Sequence, residues 1–299
     1  PCCHQGKTPP CSQAVIDAGI GRVVIAHRDP FPKVAGGGVR QLQEAGIEVV
    51  VGVLEHEARW LNGPFLKRIE SGRPWVIAKW AMTLDGKIGT HAGSSRWISN
   101  ELSRIRVHQL RGRMDGIMVG QRTATLDDPM LTARPPGTRT AMRIVVDSRA
   151  QLSSDSQLAR SATEIRTLVA AGPEVPDANR QRLEQTGCEV WVGAATDPGK
   201  RLGQLLQELG RQGLTNLLVE GGGHLLGSLF DAKAIDEVHV FIASKLVGGL
   251  SAPSPLAGQG LASMADAMLI PHAVSFRCTA MRCSNVAITT LELPLSSAA

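Results

Sequence analysis

Two cysteines, Cys2 and Cys11, close a Pro- and Gly-rich segment, Pro1-Cys2-Cys3-His4-Gln5-Gly6-Lys7-Thr8-Pro9-Pro10-Cys11. Thiolates held by a rigid turn suit zinc, and a catalytic zinc typically takes three protein ligands and one water. The pair therefore reads as part of a metal site whose further ligand would precede Pro1. Spacing alone equally admits two unrelated loop cysteines. Cys3 reads as a bystander, and His4 as a loop residue able to meet a substrate. The chain does not begin with Met, and the expectation is a piece of a longer parent.

A second set of chemistry-bearing residues lies further on, always where an apolar run gives way to polar residues. Lys79 precedes the turn Leu84-Asp85-Gly86-Lys87, and Ser94-Ser95-Arg96-Trp97 precedes a helix for which Ser99 is the expected N-cap. Thr123 to Arg134 reads as a polar loop carrying Asp127 and Asp128. Asp147-Ser148-Arg149 follows another apolar run. Val219-Glu220-Gly221-Gly222-Gly223-His224-Leu225-Leu226-Gly227-Ser228 reads as strand, glycine turn and helix. Open amides at such a helix start hold phosphate or diphosphate. The spacing is not G-x-G-x-x-G, so the Rossmann fingerprint fails. Taken singly, each segment also reads as an ordinary turn or cap. His224 taken alone reads as a surface residue.

These residues need a scaffold that gathers strand ends. Helix and strand signals alternate from the start, which predicts a layered α/β architecture. Expected strands include Arg22 to Ala26, Ile47 to Val51, Trp75 to Trp80, Gly116 to Val119, Arg143 to Val146, Thr167 to Ala170, Glu189 to Val192 and Asn216 to Val219, with β-rich stretches from Glu237 onwards. Expected helices include a single one over Glu55 to Glu70 and others over Asn100 to Arg113, Asp177 to Thr186, Gly199 to Gln212 and Gly223 to Phe230. Ser71-Gly72-Arg73-Pro74 is a breaker, placing a domain boundary between residues 72 and 73. Length allows about two domains.

Composition narrows the partners. With 43% hydrophobic and 20% charged residues and no apolar run of the roughly 18 that a membrane span needs, a membrane role is not expected. The net charge is +5, but basic residues are dispersed apart from Arg104 to Arg113, Tyr is absent, and Phe and Trp number five each. A nucleic-acid binder would show a basic stripe, so small anionic partners such as phosphorylated metabolites are expected. The six cysteines (Cys2, Cys3, Cys11, Cys188, Cys278, Cys283) do not read as a disulfide scaffold. A cytoplasmic location is expected.

Pro1-Cys2-x-His4-x-Gly6-x-Thr8-Pro9-Pro10-Cys11 followed by Asp29-Pro30-x-Pro32-x-Val34-x-Gly36-x-Gly38 resembles the deaminase half of the bifunctional riboflavin-biosynthesis deaminase/reductase family. The four later segments, in order, resemble its reductase half over about Arg73 to Leu293. The resemblance implies a truncated cytidine-deaminase-like three-layer domain over residues 1–72, followed by a dihydrofolate-reductase-like domain with a mixed central sheet over residues 73–299. It implies Zn2+ on Cys2 and Cys11, with a third ligand His and an acid/base Glu outside this chain. It implies NADPH on Ala81, Trp97, Thr123, Asp127, Ser148, Gly222, Gly223, His224, Leu225, Leu226, Gly227 and Ser228. A phosphorylated pyrimidine substrate would lie on Ser95, Arg111, Leu131, Arg134 and Glu220, in a homo-oligomeric enzyme.

The implied reaction reduces the ribosyl group of a phosphoribosylamino-uracil to ribityl, the cofactor supplying hydride. Arg111 and Arg134 suit the substrate phosphate, since a guanidinium grips phosphate bidentately. Asp127 and Glu220 are candidates for orienting sugar hydroxyls and the nicotinamide amide, Lys79 for donating a proton or fixing an oxygen, and Arg149 for meeting a cofactor 2′-phosphate. Two other readings stay open: a monofunctional reductase with a degenerate deaminase fold, and a non-catalytic nucleotide- or RNA-binding module using the basic helix.

Overall fold

Strands apolar on both faces build the centre of the larger unit, because a parallel sheet is covered on both sides. The computed structural model describes residues 1–5, 9–31, 34 and 36–268, and the backbone of 272–278 and 286–292. The motif positions Gly6, Thr8 and Pro32, and Cys283, lie outside the described residues. The chain separates into two compact units, Pro1–Gly72 and Arg73–Ala299.

In the first unit, helices α1 (Cys11–Asp17) and α2 (Gly37–Glu44) accompany strands β1 (Arg22–Ile25) and β2 (Glu48–Val51), which pair in parallel. The single helix expected over Glu55 to Glu70 is two, α3 (Glu55–Leu61) and α4 (Gly63–Ser71). The break falls at Asn62-Gly63-Pro64, where Pro, lacking an N–H, is accepted in a first helical turn and not in an interior.

The second unit runs β3 (Trp75–Thr83), α5 (Glu101–Arg111), β4 (Gly116–Gly120), α6 (Gln121–Asp127), β5 (Met142–Val146), α7 (Gln157–Arg160) and β6 (Thr167–Ala171). It continues with α8 (Asp177–Glu184), β7 (Glu189–Val192), α9 (Pro198–Arg211), β8 (Asn216–Glu220), α10 (Gly223–Asp231), β9 (Glu237–Ala243), β10 (His272–Cys278) and β11 (Val286–Glu292). The sheet order is β10-β11-β9-β3-β8-β4-β5-β6-β7. From β9 to β7 every pairing is parallel, whereas β11 and β10 add antiparallel strands at one edge. This is the mixed sheet that the resemblance implied.

Alternation sets the core. Val76 and Ala78, Met142 and Ile144, Leu168 and Ala170, and Leu217 and Val219 point to one face, where Leu202, Leu205, Leu206 and Leu209 of α9 and Leu225, Leu226 and Leu229 of α10 cover them. Each such leucine contributes about 1.5–3 kcal/mol by leaving water. The same packing fixes where the two helices begin, beside the carboxyl ends of the strands. Helix α5 is capped by Asn100, whose Oδ1 accepts the Ser103 N–H at 3.0 Å, one residue later than the expected Ser99. Among the described residues no helix is long and apolar enough to cross a membrane.

Candidate functional site

A cavity of about 760 Å3 opens along the carboxyl ends of β3, β8, β4, β5, β6 and β7. Ligands of open α/β sheets bind at that edge. Fifteen of the expected site residues line it: Lys79, Ala81, Ser95, Arg111, Thr123, Asp127, Leu131, Ser148, Glu220, Gly222, Gly223, His224, Leu225, Leu226 and Ser228.

At one end, register creates a buried charge cluster. Lys79 and Glu220 are direct partners on the adjacent parallel strands β3 and β8. The Lys79 Nζ lies 3.9 Å from Glu220 Oε2. From the last turn of α5, Arg111 donates through Nε to Glu220 Oε1 at 2.6 Å and through Nη2 to Oε2 at 2.9 Å, while its Nη1 donates to the Thr132 carbonyl. Side-chain exposures of 17% for Lys79, 15% for Arg111 and 9% for Glu220 remove most competing water. Burial pushes the Lys79 ammonium below its ordinary range, opposed by the Glu220 charge. Burial raises the Glu220 pKa, but the Arg111 charge and hydrogen bonds prevail and hold its carboxyl below the usual carboxylate range. The cluster thus carries two cations and one anion, with Lys79 the group most ready to release a proton.

This geometry ties two of the expected substrate residues to each other. Arg111 spends three of its five N–H groups on Glu220 and the Thr132 carbonyl and lines the cavity with the other two. Each Glu220 oxygen accepts one bond from Arg111, so Glu220 sets the charge and position of its neighbours while it lines the cavity. Arg134 and Trp97 are exposed and outside the cavity lining, and Gly227, on α10, is buried behind it. Arg104 stacks over Trp97 at 4.6 Å. Within the Arg104 to Arg113 stretch Arg111 is buried and Arg104 is stacked, while Arg106, bonded to Gln109, and Arg113 are exposed.

In the middle of the cavity, Gly221 and Gly222 carry φ values of 73° and 80°, a left-handed backbone that favours glycine. A Cβ on Gly222 would stand 3.2 Å from Thr123 Oγ1. The turn delivers the chain into α10, whose first amides have no intrahelical acceptor. Thr123 and Asp127 sit not in a loop but on α6, and Arg96 pairs with Asp127 at 3.5 Å.

Two features escaped sequence reasoning. Residues 250–254 and Ala257 line the cavity from a strap between β9 and β10. Asp85 pins its start, accepting the Gly248 N–H at 2.6 Å, and Asp231 pins its end, accepting from Gln259 at 2.8 Å and Gly260 at 3.1 Å. Ala257 donates to the Gly223 carbonyl at 3.0 Å. No periodicity marks such a strap in sequence. At the far end of the cavity stands Arg201, with Trp191 and Pro198. Arg149 is exposed and outside the lining; its amide donates to Asp147 Oδ1 while its carbonyl accepts from Asn179.

Cys2 and Cys11 belong to the first unit. Their sulfurs are 3.3 Å apart, and the Cys11 amide on the Cys2 sulfur lowers the pKa of that thiol. Among the described residues no group of three or more His, Cys, Asp or Glu side chains could hold a metal. Two thiolates supply only half of a tetrahedral zinc shell, and no step through zinc follows.

A parallel sheet with an antiparallel edge, a strand-end cavity and a glycine turn opening a helix define an α/β fold that presents a ligand site at its strand ends. Residues 74–286 match the family model described as the RibD C-terminal domain. The chain is 44% identical over 271 residues to the riboflavin biosynthesis protein RibD of Actinobacillus pleuropneumoniae, covering 90% of this chain and 71% of that protein. Among solved structures it resembles the Thermotoga maritima diaminohydroxyphosphoribosylaminopyrimidine deaminase/5-amino-6-(5-phosphoribosylamino)uracil reductase, with TM-score 0.74, 31% identity, and coverage of 98% of this chain and 77% of the other. It also resembles Acinetobacter baumannii RibD, with TM-score 0.75, 29% identity, and coverage of 98% and 78%. The chain belongs to the RibD family of riboflavin-biosynthesis proteins.

Proposed function

We propose that the Arg73–Ala299 unit reduces 5-amino-6-(5-phosphoribosylamino)uracil to its ribitylamino product with NADPH. The observation that carries this reading is the buried Lys79-Glu220-Arg111 cluster at one end of a cavity long enough to continue past a glycine turn to a second basic residue. The amides at the start of α10 and the Thr123 hydroxyl suit a diphosphate, and Ser148 suits the far ribose. Gly227, set back from the lining, supports the turn from behind. The bound dinucleotide would supply hydride to C1′ of the ring-opened sugar.

The protein's own residues then have distinct tasks. Lys79, made more acidic by burial, supplies a proton to the opened sugar. Glu220 fixes Lys79 and Arg111 and holds the net positive charge that favours an anionic substrate. Arg134, exposed with its guanidinium uncommitted among the described residues, remains the candidate for the substrate phosphate, with Ser95 and Leu131 shaping the pocket. Leu131 is 2% exposed, so it contacts a ligand only from the cavity side. Asp127, tied to Arg96, positions α6 against the cofactor, and Trp97 borders the entrance.

Residues 1–72 are proposed as the C-terminal part of a zinc deaminase domain, with Cys2 and Cys11 as two of its ligands. A cytoplasmic homo-oligomer is the accompanying expectation. The test is a spectroscopic assay of reduced-nicotinamide consumption with the phosphoribosylamino-uracil. A folded chain that binds NADPH yet consumes none of it in the presence of this substrate would sink the reading.

A further inference from the structure

Arg201 is a buried cation with no carboxylate partner among the described residues. It is 9% exposed, lies one turn into α9, and lines the cavity at the end away from Lys79. Its Nη1 donates to the carbonyls of Ala195 at 2.9 Å and Thr196 at 3.0 Å, and its Nη2 donates to Ser148 Oγ at 2.7 Å. A guanidinium carries five N–H groups. Three bonds leave the Nε proton and a second Nη2 proton without a partner. Burying a charge without a counter-charge is costly, and the surrounding residues are arranged to permit it. Gly193, at the end of β7, has no side chain where the Arg201 stem passes, since a Cβ there would fall 2.5 Å from Arg201 Cγ. Gly172, after β6, would bring a Cβ within 3.4 Å of the guanidinium carbon.

The position matters as much as the charge. Ser148 follows β5, and β5 stands three places from β3 in the sheet order. At about 4.8 Å per strand, the distance across the strand tips from the Lys79 end is roughly 14 Å. That is the reach of a dinucleotide and beyond that of a single nucleotide whose base sits at the Lys79 end. Trp191 and Pro198 offer flat apolar surface beside Arg201, suited to an adenine ring.

We propose that Arg201, with the Ser148 hydroxyl it orients, forms the subsite for the phosphomonoester on the adenosine ribose and is the group by which this chain prefers NADPH to NADH. This rests on the dinucleotide-reductase reading of the cavity. The free N–H groups of Arg201 grip the phosphate in a charge-assisted pair, and the Ser148 hydroxyl, an acceptor toward Arg201, donates its own proton to a phosphate oxygen. The phosphate supplies the counter-charge that the folded protein leaves out. Arg149, the other basic residue near this strand end, takes no part.

The experiment measures equilibrium Kd by titration calorimetry for NADPH and NADH, and for adenosine 2′,5′-bisphosphate and 5′-AMP, on the intact chain. Wild type is expected to favour each 2′-phosphorylated ligand by 30-fold or more. Arg201→Gln, which removes the charge and, being two atoms shorter, the bond to Ser148, is expected to cut that preference at least tenfold while NADH binding moves less than threefold. Ser148→Asp, on an exposed residue that does not depend on Arg201 to fold, is expected to abolish or invert the preference. Arg149→Ala is expected to leave it at the wild-type value. If Arg201→Gln fails to fold, Ser148→Asp and the wild-type fragment titrations still decide. Wild type that binds both dinucleotides equally, Ser148→Asp that keeps the preference, or Arg149→Ala that removes it, overturns the assignment. Wild type that binds neither dinucleotide overturns the underlying reductase reading instead.

Discussion

Replacing Glu220 by Gln tests whether the buried cluster is held together by that one carboxylate. In the folded protein Glu220 is 9% exposed and accepts from Arg111 at 2.6 and 2.9 Å, with Lys79 at 3.9 Å. The substitution keeps size and one acceptor but raises the buried charge from one net positive to two. Removing one member of a buried ion pair typically costs 3–5 kcal/mol, because the remaining charge stays desolvated. For a unit of this size each kcal/mol lowers Tm by about 2–4 °C, so a fall on the order of 10 °C is expected by calorimetry. The double variant Arg111→Met/Glu220→Gln removes both partners and leaves one buried cation, Lys79, in place of two. It should regain at least half of the lost Tm while its reductase kcat/KM stays as low as in the single variant. The pH dependence has a definite sign. The folded-state pKa of Glu220 is depressed, so its contribution to stability is present above the ordinary Glu pKa of about 4.3 and is lost as pH falls toward the folded value. The difference in Tm between wild type and Glu220→Gln should therefore shrink below about pH 4. A single variant within 2 °C of wild type at neutral pH, or a double variant less stable than the single, would refute the reasoning.

Other expectations are as direct. Gly227→Ala places a methyl group against the Ala257 carbonyl of the strap, backbone on backbone, so the strap shifts and nucleotide Kd rises at least tenfold by fluorescence titration. An unchanged Kd would mean the strap does not shape the cavity. Asp85 has its pKa lowered to about 2 by the Thr83 hydroxyl and the Gly248 and Val247 amides. Asp85→Asn should speed hydrogen exchange at Val247 and Gly248 at neutral pH, and wild type should approach the variant as pH falls from about 4 to 2. Arg143 is fully buried in β5 and donates to Leu158, Ser161, Ile165 and Thr167. Arg143→Met orphans those acceptors at about 1–3 kcal/mol each, so it should lower Tm by several degrees and leave NADPH Kd within twofold.

The strands were legible because β3, β4, β5, β6 and β8 are short apolar runs closed by polar residues, and that same boundary marked Lys79, Ser148 and Glu220 as strand-end groups. Helix α6 was not legible: Gln121-Arg-Thr-Ala-Thr-Leu-Asp buries only Ala124 and holds two β-branched residues, so its shape comes from its place after β4. The Arg111–Glu220 pair was hidden for a different reason. Sequence shows two charges far apart in the chain, each able to meet a ligand, and only register and burial reveal that they meet each other. Arg201 gives no warning at all, since a basic residue in an amphipathic helix reads as a solvent-facing one. The glycines that admit it, Gly172 and Gly193, read as ordinary strand ends.

Strand order has a consequence for how this protein is made and kept folded. β3 sits between β8 and β9, so the residues beside Lys79 arrive only after more than half of the unit has been synthesised. No fragment ending before β8 can bring Lys79 and Glu220 together, and such long-range pairing is slow to form. A dinucleotide lying across the strand tips would touch segments from both halves of the unit at once. Its binding energy would add to the cohesion of the whole sheet as RT ln(1 + [L]/Kd), so the supply of cofactor in a cell would tune the lifetime of the enzyme as well as its turnover.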